Sequence, residues 1–155
     1  MRKLFLIIGL VFATVFTASS QEISENAIGI RFGDNSGLGG EISYQVLVGY
    51  GSRLEIDLGL RNKSGVDSFK ATGVFQWVWS LENRFNWYAG FGGGIGNQRD
   101  SGASKTFFFG TGDIGIEYNF EAPILISLDY RPEYGFYKVY KGFNSDIALS
   151  VRCQF

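Results

Sequence analysis

Two pairs of carboxylates stand at spacings that general acid and base chemistry could use. Glu55 and Asp57 lie two residues apart and Asp113 and Glu117 four apart, so on an extended strand each pair shares one face. Side by side, one carboxyl group could hold a proton while the other stays ionised. Basic residues fall on the same faces, and mutual ion pairing is therefore the plainer role. The chain contains no histidine, the side chain that most readily supplies a base near neutral pH. These residues predict no catalytic site.

Two glycine-rich stretches could in principle cradle a phosphate. "GTGDIG", Gly110 to Gly115, fits the dinucleotide fingerprint, which works only where the glycines join a strand to a helix whose N-terminus holds the pyrophosphate. Here it sits within one alternating stretch, after Phe107 to Phe109 and before "IEYNF". "GFGGGIG", Gly90 to Gly96, lacks both the lysine and the helix of a phosphate loop. Glycines in a barrel wall instead let it bend and leave room for long inward side chains, Tyr88 or an arginine among them. No cofactor and no metal ion is expected.

The elements that carry these residues read in period two. Eight segments alternate in polarity, at 27–32, 40–48, 53–61, 68–79, 85–95, 106–120, 124–131 and 145–155. In the third, Leu54, Ile56, Leu58 and Leu60 alternate with Arg53, Glu55, Asp57, Gly59 and Arg61. In the last, Ile147, Leu149, Val151, Cys153 and Phe155 alternate with Asp146, Ala148, Ser150, Arg152 and Gln154. No stretch has helical periodicity and no break in composition divides the chain. Twenty-two glycines, two prolines and abundant Phe and Tyr suit strands and tight turns.

Residues 1–20 read as a cleaved secretory signal peptide: "MRK", the apolar "LFLIIGLVFATVF", then "TASS", with small Ala18 and Ser20 before the cut. The exported part is then 21–155, a single domain. Gln21 stands where a lipid-anchored protein would carry its cysteine. The one cysteine, Cys153, cannot bridge within the chain, so stability must come from something other than disulfides. Without Arg2 and Lys3, 12 of the 14 basic side chains remain against 15 acidic ones, a balance that offers nothing to nucleic acid.

Alternation alone leaves open which face is inside, because a soluble lipid-carrying barrel buries its apolar row and a membrane barrel turns it outward. Connection lengths point to the second. Those near 33–39, 62–67, 96–105 and 132–144 are long and those near 49–52, 80–84 and 121–123 short, as in barrels with turns on one side of a membrane and loops on the other. All three tryptophans, Trp77, Trp79 and Trp87, fall at the short-turn rim with Tyr118, Phe120 and Phe155, as an interfacial girdle would. The polar face then becomes an interior charge network. Its cations are Arg31, Arg53, Arg61, Lys70, Arg131 and Arg152, and its anions Glu41, Glu55, Asp57, Asp113, Glu117, Asp129 and Asp146. Six against seven is close to balance, which suits an enclosure where charges must pair.

Residues 21–155 resemble the small eight-stranded outer-membrane barrels of the OmpX and OmpA transmembrane-domain type, through this pattern rather than one diagnostic motif. The resemblance implies an all-β fold, an eight-stranded antiparallel up-and-down transmembrane β-barrel. It also implies a monomer surrounded by outer-membrane lipid in a Gram-negative-type cell. In that family a terminal Phe preceded by alternating apolar residues is read by the barrel-assembly machinery, which would assign that signal to Leu149, Val151, Cys153 and Phe155. Barrel enzymes of similar architecture that cut or acylate lipid A, and omptin-type proteases, rely on a histidine that this chain lacks. A structural or surface-interaction role through external loops is therefore expected. In "RPEYGFYKVYKGF", Tyr134, Phe136, Tyr137, Tyr140 and Phe143 accompany Lys138 and Lys141. That mixture suits the sugar and phosphate of a surface lipid, a protein ligand, or an outer aromatic girdle. Two alternatives stay open: a soluble carrier of an apolar ligand needs the apolar row inside, and a narrow channel needs an open lumen.

Overall fold

The computed structural model describes residues 24–33, 39–63, 66–100, 103–136 and 140–155. The expected signal peptide, 1–20, lies outside them. Eight strands follow in chain order: β1 Asn26–Gly33, β2 Gly39–Gly49, β3 Ser52–Lys63, β4 Val66–Glu82, β5 Phe85–Asp100, β6 Ala103–Asn119, β7 Ile124–Gly135 and β8 Gly142–Gln154. Each pairs antiparallel with the next, and β8 returns to β1 to close the barrel. Closure leaves the wall with no unpaired edge. At the seam, Ala27 to Gly33 face Gln154 to Ala148, and Asn26 and Phe155 exchange two backbone hydrogen bonds of 3.2 and 3.0 Å.

The alternation read from the sequence becomes an inverted barrel. Arg31, Arg53, Arg131 and Arg152 are among the largest fully buried side chains, while Ile42, Leu58, Ile116 and Leu149 lie exposed on the outside. The soluble-carrier alternative required the opposite arrangement and is overturned by this burial pattern.

At one end of the barrel the connections are tight. Between β4 and β5, Asn83 and Arg84 both adopt positive φ, 45° and 75°, the pairing of a mirror-image hairpin turn whose twist matches that of the strands it joins. Between β2 and β3, Gly51 supplies the positive φ, 67°. A register shift precedes each turn, between Leu47 and Gly49 and between Ser80 and Glu82.

At the other end the strands run further than their polarity suggested. The expected loops 62–67 and 96–105 are mostly strand, with β3 running to Lys63, β4 starting at Val66, β5 running to Asp100 and β6 starting at Ala103, and within 132–144 β7 runs to Gly135 and β8 starts at Gly142. Cross-strand pairing continues unbroken through Asp67↔Arg99 and Asn97↔Thr106. Side chains hold it as well, since Asn97 donates to Thr106 at 3.1 Å and accepts from Ser104 at 2.8 Å. Beyond a membrane, water covers both faces of a strand, so alternation fades while the backbone ladder persists. With 17 residues, β4 and β6 each span roughly 55 Å along their axes. Tilted at about 40°, they outreach an apolar band about 25 Å tall.

Candidate functional site: lipid-facing wall, charged interior and aromatic mouth

The outer wall is apolar on every side. Ile28 and Ile30 on β1, Ile42 on β2, Ile56 and Leu58 on β3, Ile114 and Ile116 on β6, Leu128 on β7, and Ile147, Leu149 and Val151 on β8 are 41% to 61% exposed. An apolar surface continuous around the molecule far exceeds what a water-soluble monomer shows. Aromatics bound this band at the turn side, where Trp79 stacks on Trp87 at 4.4 Å and Tyr118 lies 4.7 Å from both Phe85 and Phe120. At the loop side, exposed Tyr134 faces Phe143 across the β7–β8 ladder and lies 5.6 Å from Phe136, whose backbone N–H donates to the Phe108 carbonyl at 3.2 Å. Amphipathic rings at such levels suit a membrane interface.

Inside, charges converge from strands distant in sequence. Arg31 on β1 pairs with Glu41, Asp129 and Asp146 at 2.9, 2.6 and 2.8 Å. Arg53 on β3 pairs with Glu117 at 2.7 Å and donates to Gln76 at 2.6 Å. Arg131 on β7 pairs with Glu55 and Asp57 and also lies 3.3 Å from Asp113 and 3.6 Å from Asp129. Arg152 on β8 meets Glu55 at 3.0 Å and donates to Ser43 and Ser127 at 3.0 and 2.8 Å. Lys70 on β4 pairs with Glu133. The planar fork of arginine, with five donors, lets one cation serve several carboxylates at once.

Twelve of the thirteen sequence-predicted network residues are therefore buried, and the side chain of the thirteenth, Arg61, lies outside the description. Sequence reasoning missed Glu133, placed by it in a loop. On β7 it continues the inward row of Ser127, Asp129 and Arg131, and extending that alternation past Pro132 would have found it. Glu133 adds one carboxylate to the seven expected, and among the described side chains these eight are buried together with five of the six expected cations. The amides Gln45, Gln76 and Asn86 were missed too. They donate to Glu55, to Asp113 at 2.5 Å and to Glu117 at 3.1 Å, which spreads carboxylate charge without adding cations.

The two carboxylate pairs share Arg131 but divide their other partners. Glu55 and Asp57 share Arg131, whereas Asp113 takes Gln76 and Arg131 while Glu117 takes Arg53 and Asn86. All four are buried. "GTGDIG" runs through the middle of β6 and "GFGGGIG" through β5. Gly115 makes room for Tyr88, its cross-strand partner, because a Cβ there would stand 2.5 Å from the Tyr88 ring and hydroxyl. The Arg53 guanidinium lies 4.8 Å from the centre of that ring. Among the described residues, no group of three or more His, Cys, Asp or Glu side chains could hold a metal ion.

The two remaining sets of predicted residues separate by face. Leu149, Val151, Cys153 and Phe155 form one exposed outer row. Of the aromatic stretch, Tyr134, Phe136, Lys141 and Phe143 are at least partly open to the outside, and Tyr137 and Lys138 lie outside the described residues. Tyr140 departs from the expectation of a surface contact. It turns into the barrel mouth, stacks on Phe107 at 4.7 Å, and donates its hydroxyl hydrogen to Glu133 at 2.7 Å.

A closed antiparallel barrel of eight strands, apolar without and charged within, is a transmembrane β-barrel. Three solved structures share its fold. The N-terminal β-barrel domain of Pseudomonas aeruginosa OprF matches with a TM-score of 0.73 at 14% identity, over 85% of this chain and 98% of that one. Neisserial surface protein A matches with a TM-score of 0.65 at 14% identity, over 84% and 94%. Ail, the attachment invasion locus protein of Yersinia pestis, matches with a TM-score of 0.56 at 15% identity, over 85% and 97%. No protein-family model and no curated protein matches the sequence. The fold is thus that of the small eight-stranded outer-membrane barrels.

Proposed function

We propose that this chain is exported and assembled into the outer membrane of a Gram-negative-type cell. There it acts as a monomeric, non-catalytic barrel closed by its own inward side chains, and meets partners at the loop-side rim. The observation that carries this reading is the pairing of buried charges behind a lipid-facing wall. Eight strands enclose a space that side chains can just fill. In the outer row, Leu149, Val151, Cys153 and Phe155 act as the signal for the barrel-assembly machinery. Tyr134, Phe136, Lys141 and Phe143, with Tyr137 and Lys138 in the same connection, present rings and cations to a surface lipid or protein ligand. Ail has been solved with the heparin analogue sucrose octasulfate, which supports a sugar bearing anionic groups as the class to try first.

Purified protein in a planar lipid bilayer tests the closed interior. The expected result is no steady conductance. The narrow channel remains the second reading because carboxylates such as Glu41, Glu55, Asp113 and Asp129 line the described interior. Reproducible cation-selective steps, lost when inward carboxylates are neutralised, would favour it instead.

A further inference from the structure

At the aromatic mouth a tyrosine from the β7–β8 connection packs among rings and a carboxylate of the strands. Tyr140 lies with its ring 21° from parallel to Phe107 and edge-on to Phe109 at 6.0 Å. Its hydroxyl reaches Glu133, and Glu133 is held in place by Lys70, whose ammonium sits 4.7 Å from the centre of the Phe109 ring. The walls depend on missing side chains. A Cβ on Gly96 would enter the Phe107 ring, and one on Gly135 would enter the Tyr140 backbone. Flat apolar faces beside the Glu133 carboxylate, itself paired with Lys70, are complementary to an aromatic ring that carries a hydroxyl donor.

We propose that the loop-side mouth is a phenol-binding cleft which Tyr140 fills in cis, so that a phenolic ligand from outside competes with the chain's own side chain. The inference goes beyond the surface reading above and stands if no lipid or protein partner binds the rim. A neighbouring strand positions the acceptor, and stacking positions the ring. Removing Tyr140 therefore leaves a cleft that still prefers a phenol. The preference for a hydroxyl over the bare ring should be about tenfold or more, since the donated bond goes to a charged group.

The test uses the full exported chain refolded in detergent, with para-fluorophenol and fluorobenzene as probes followed by their fluorine resonances. Binding to Tyr140→Gly is read as the difference from wild type, which cancels partition into micelles. The expected result is saturable para-fluorophenol binding to Tyr140→Gly, weak fluorobenzene binding, and little of either to wild type at the same concentration. Equal binding of the two probes, or no gain over wild type, would overturn the proposal. If Tyr140→Gly does not refold, the second measurement is tryptic cleavage after exposed Lys141 in wild type and Tyr140→Phe. The proposal expects faster cleavage in Tyr140→Phe, and faster cleavage of wild type at high para-fluorophenol but not at high fluorobenzene. Unchanged rates in both arms would overturn it.

Discussion

On β7, Ser127, Asp129, Arg131 and Glu133 point inward and are buried, while Leu128, Tyr130 and Tyr134 point outward and are exposed. One backbone thus carries two sets of side chains under different rules. Lipid on the outside is as apolar as Leu or Ile and asks only that no charge enter it. On the inside a buried charge is costly unless a partner of opposite sign or a hydrogen bond meets it, and the arginines and carboxylates there pair across strands. The comparison teaches that the outer wall specifies little beyond polarity, whereas the interior specifies identity. Substitutions that respect polarity should therefore be mild outside and severe inside.

Arg131 offers the largest contrast. Its guanidinium meets Glu55, Asp57, Asp113 and Asp129; Glu55 also has Arg152 and Asp129 also has Arg31, so Arg131→Met takes from buried Asp57 and Asp113 the cation that pairs with them. The expected cost is about 3–5 kcal/mol, measured as the shift in urea midpoint for protein folded into lipid vesicles. Leu128→Ala, three residues away on the outer face of β7, should cost far less. If the two cost the same, the interior does not specify identity and the comparison breaks.

The outer rule is tested by violating it. Leu149→Arg and Ile116→Arg put a charge in the lipid-facing row and should cost about 2–4 kcal/mol near mid-bilayer, falling to about 0–1 kcal/mol near either interface. Leu149→Val in the same assay should be nearly neutral. Equal tolerance of Arg and Val at position 149 would mean that this row does not face hydrocarbon.

How much of this was legible in the sequence follows from the same two rules. The eight strands, their closure into a barrel and twelve inward charged residues were readable because lipid and interior impose opposite polarity on successive residues. Legibility ended where the lipid did. Along 96–105, Asn97, Gln98, Arg99 and Ser104 are polar on both faces and resemble a loop, yet register pairing continues through them. Glu133 was hidden because it falls in 132–144, read as a connection, whereas β7 continues through it and Pro132 takes an outward position opposite Ser145. Tyr140 left no periodic signal, because a side chain that returns into the mouth from a connection obeys no strand alternation. The turn-side aromatics were readable from position alone, and the Trp79–Trp87 stack falls where they were expected.

Shape rather than charge sets the next contrast inside the barrel. Gly115→Val drives a side chain into the buried Tyr88 ring beneath Arg53, and its Cβ would also stand 2.8 Å from the Leu128 carbonyl. Overpacking of this kind should cost about 1–3 kcal/mol. Gly112→Val, on the outer face of the same strand, meets only the side chain of Pro132 at 3.2 Å and should cost less. Tyr88→Ala should partly rescue Gly115→Val in the urea assay. Failure of that rescue would place the conflict at the Leu128 carbonyl and not at the Tyr88 ring.

The smallest effect belongs to an ion pair that faces water instead of protein. Arg84 and Glu121 meet at 3.1 Å on the turn side, with side chains 39% and 87% exposed. Solvent screens such a pair, and the two side chains lose freedom in making it, so exposed pairs contribute about 0–1 kcal/mol. The turn beneath does not depend on it. Asn119 donates its backbone N–H to the Arg84 carbonyl at 2.9 Å and Phe120 to the Ile124 carbonyl at 3.0 Å, bonds that Glu121→Gln leaves in place. The expected shift in urea midpoint is therefore within about 1 kcal/mol and vanishes in high salt. Its interior counterpart, Glu55→Gln, removes a buried carboxylate from Arg131 and Arg152 and should show a larger shift that salt does not erase. A salt-insensitive loss at Glu121 as large as that at Glu55 would mean that distance between charges, and not the medium around them, sets the strength of pairing in this barrel.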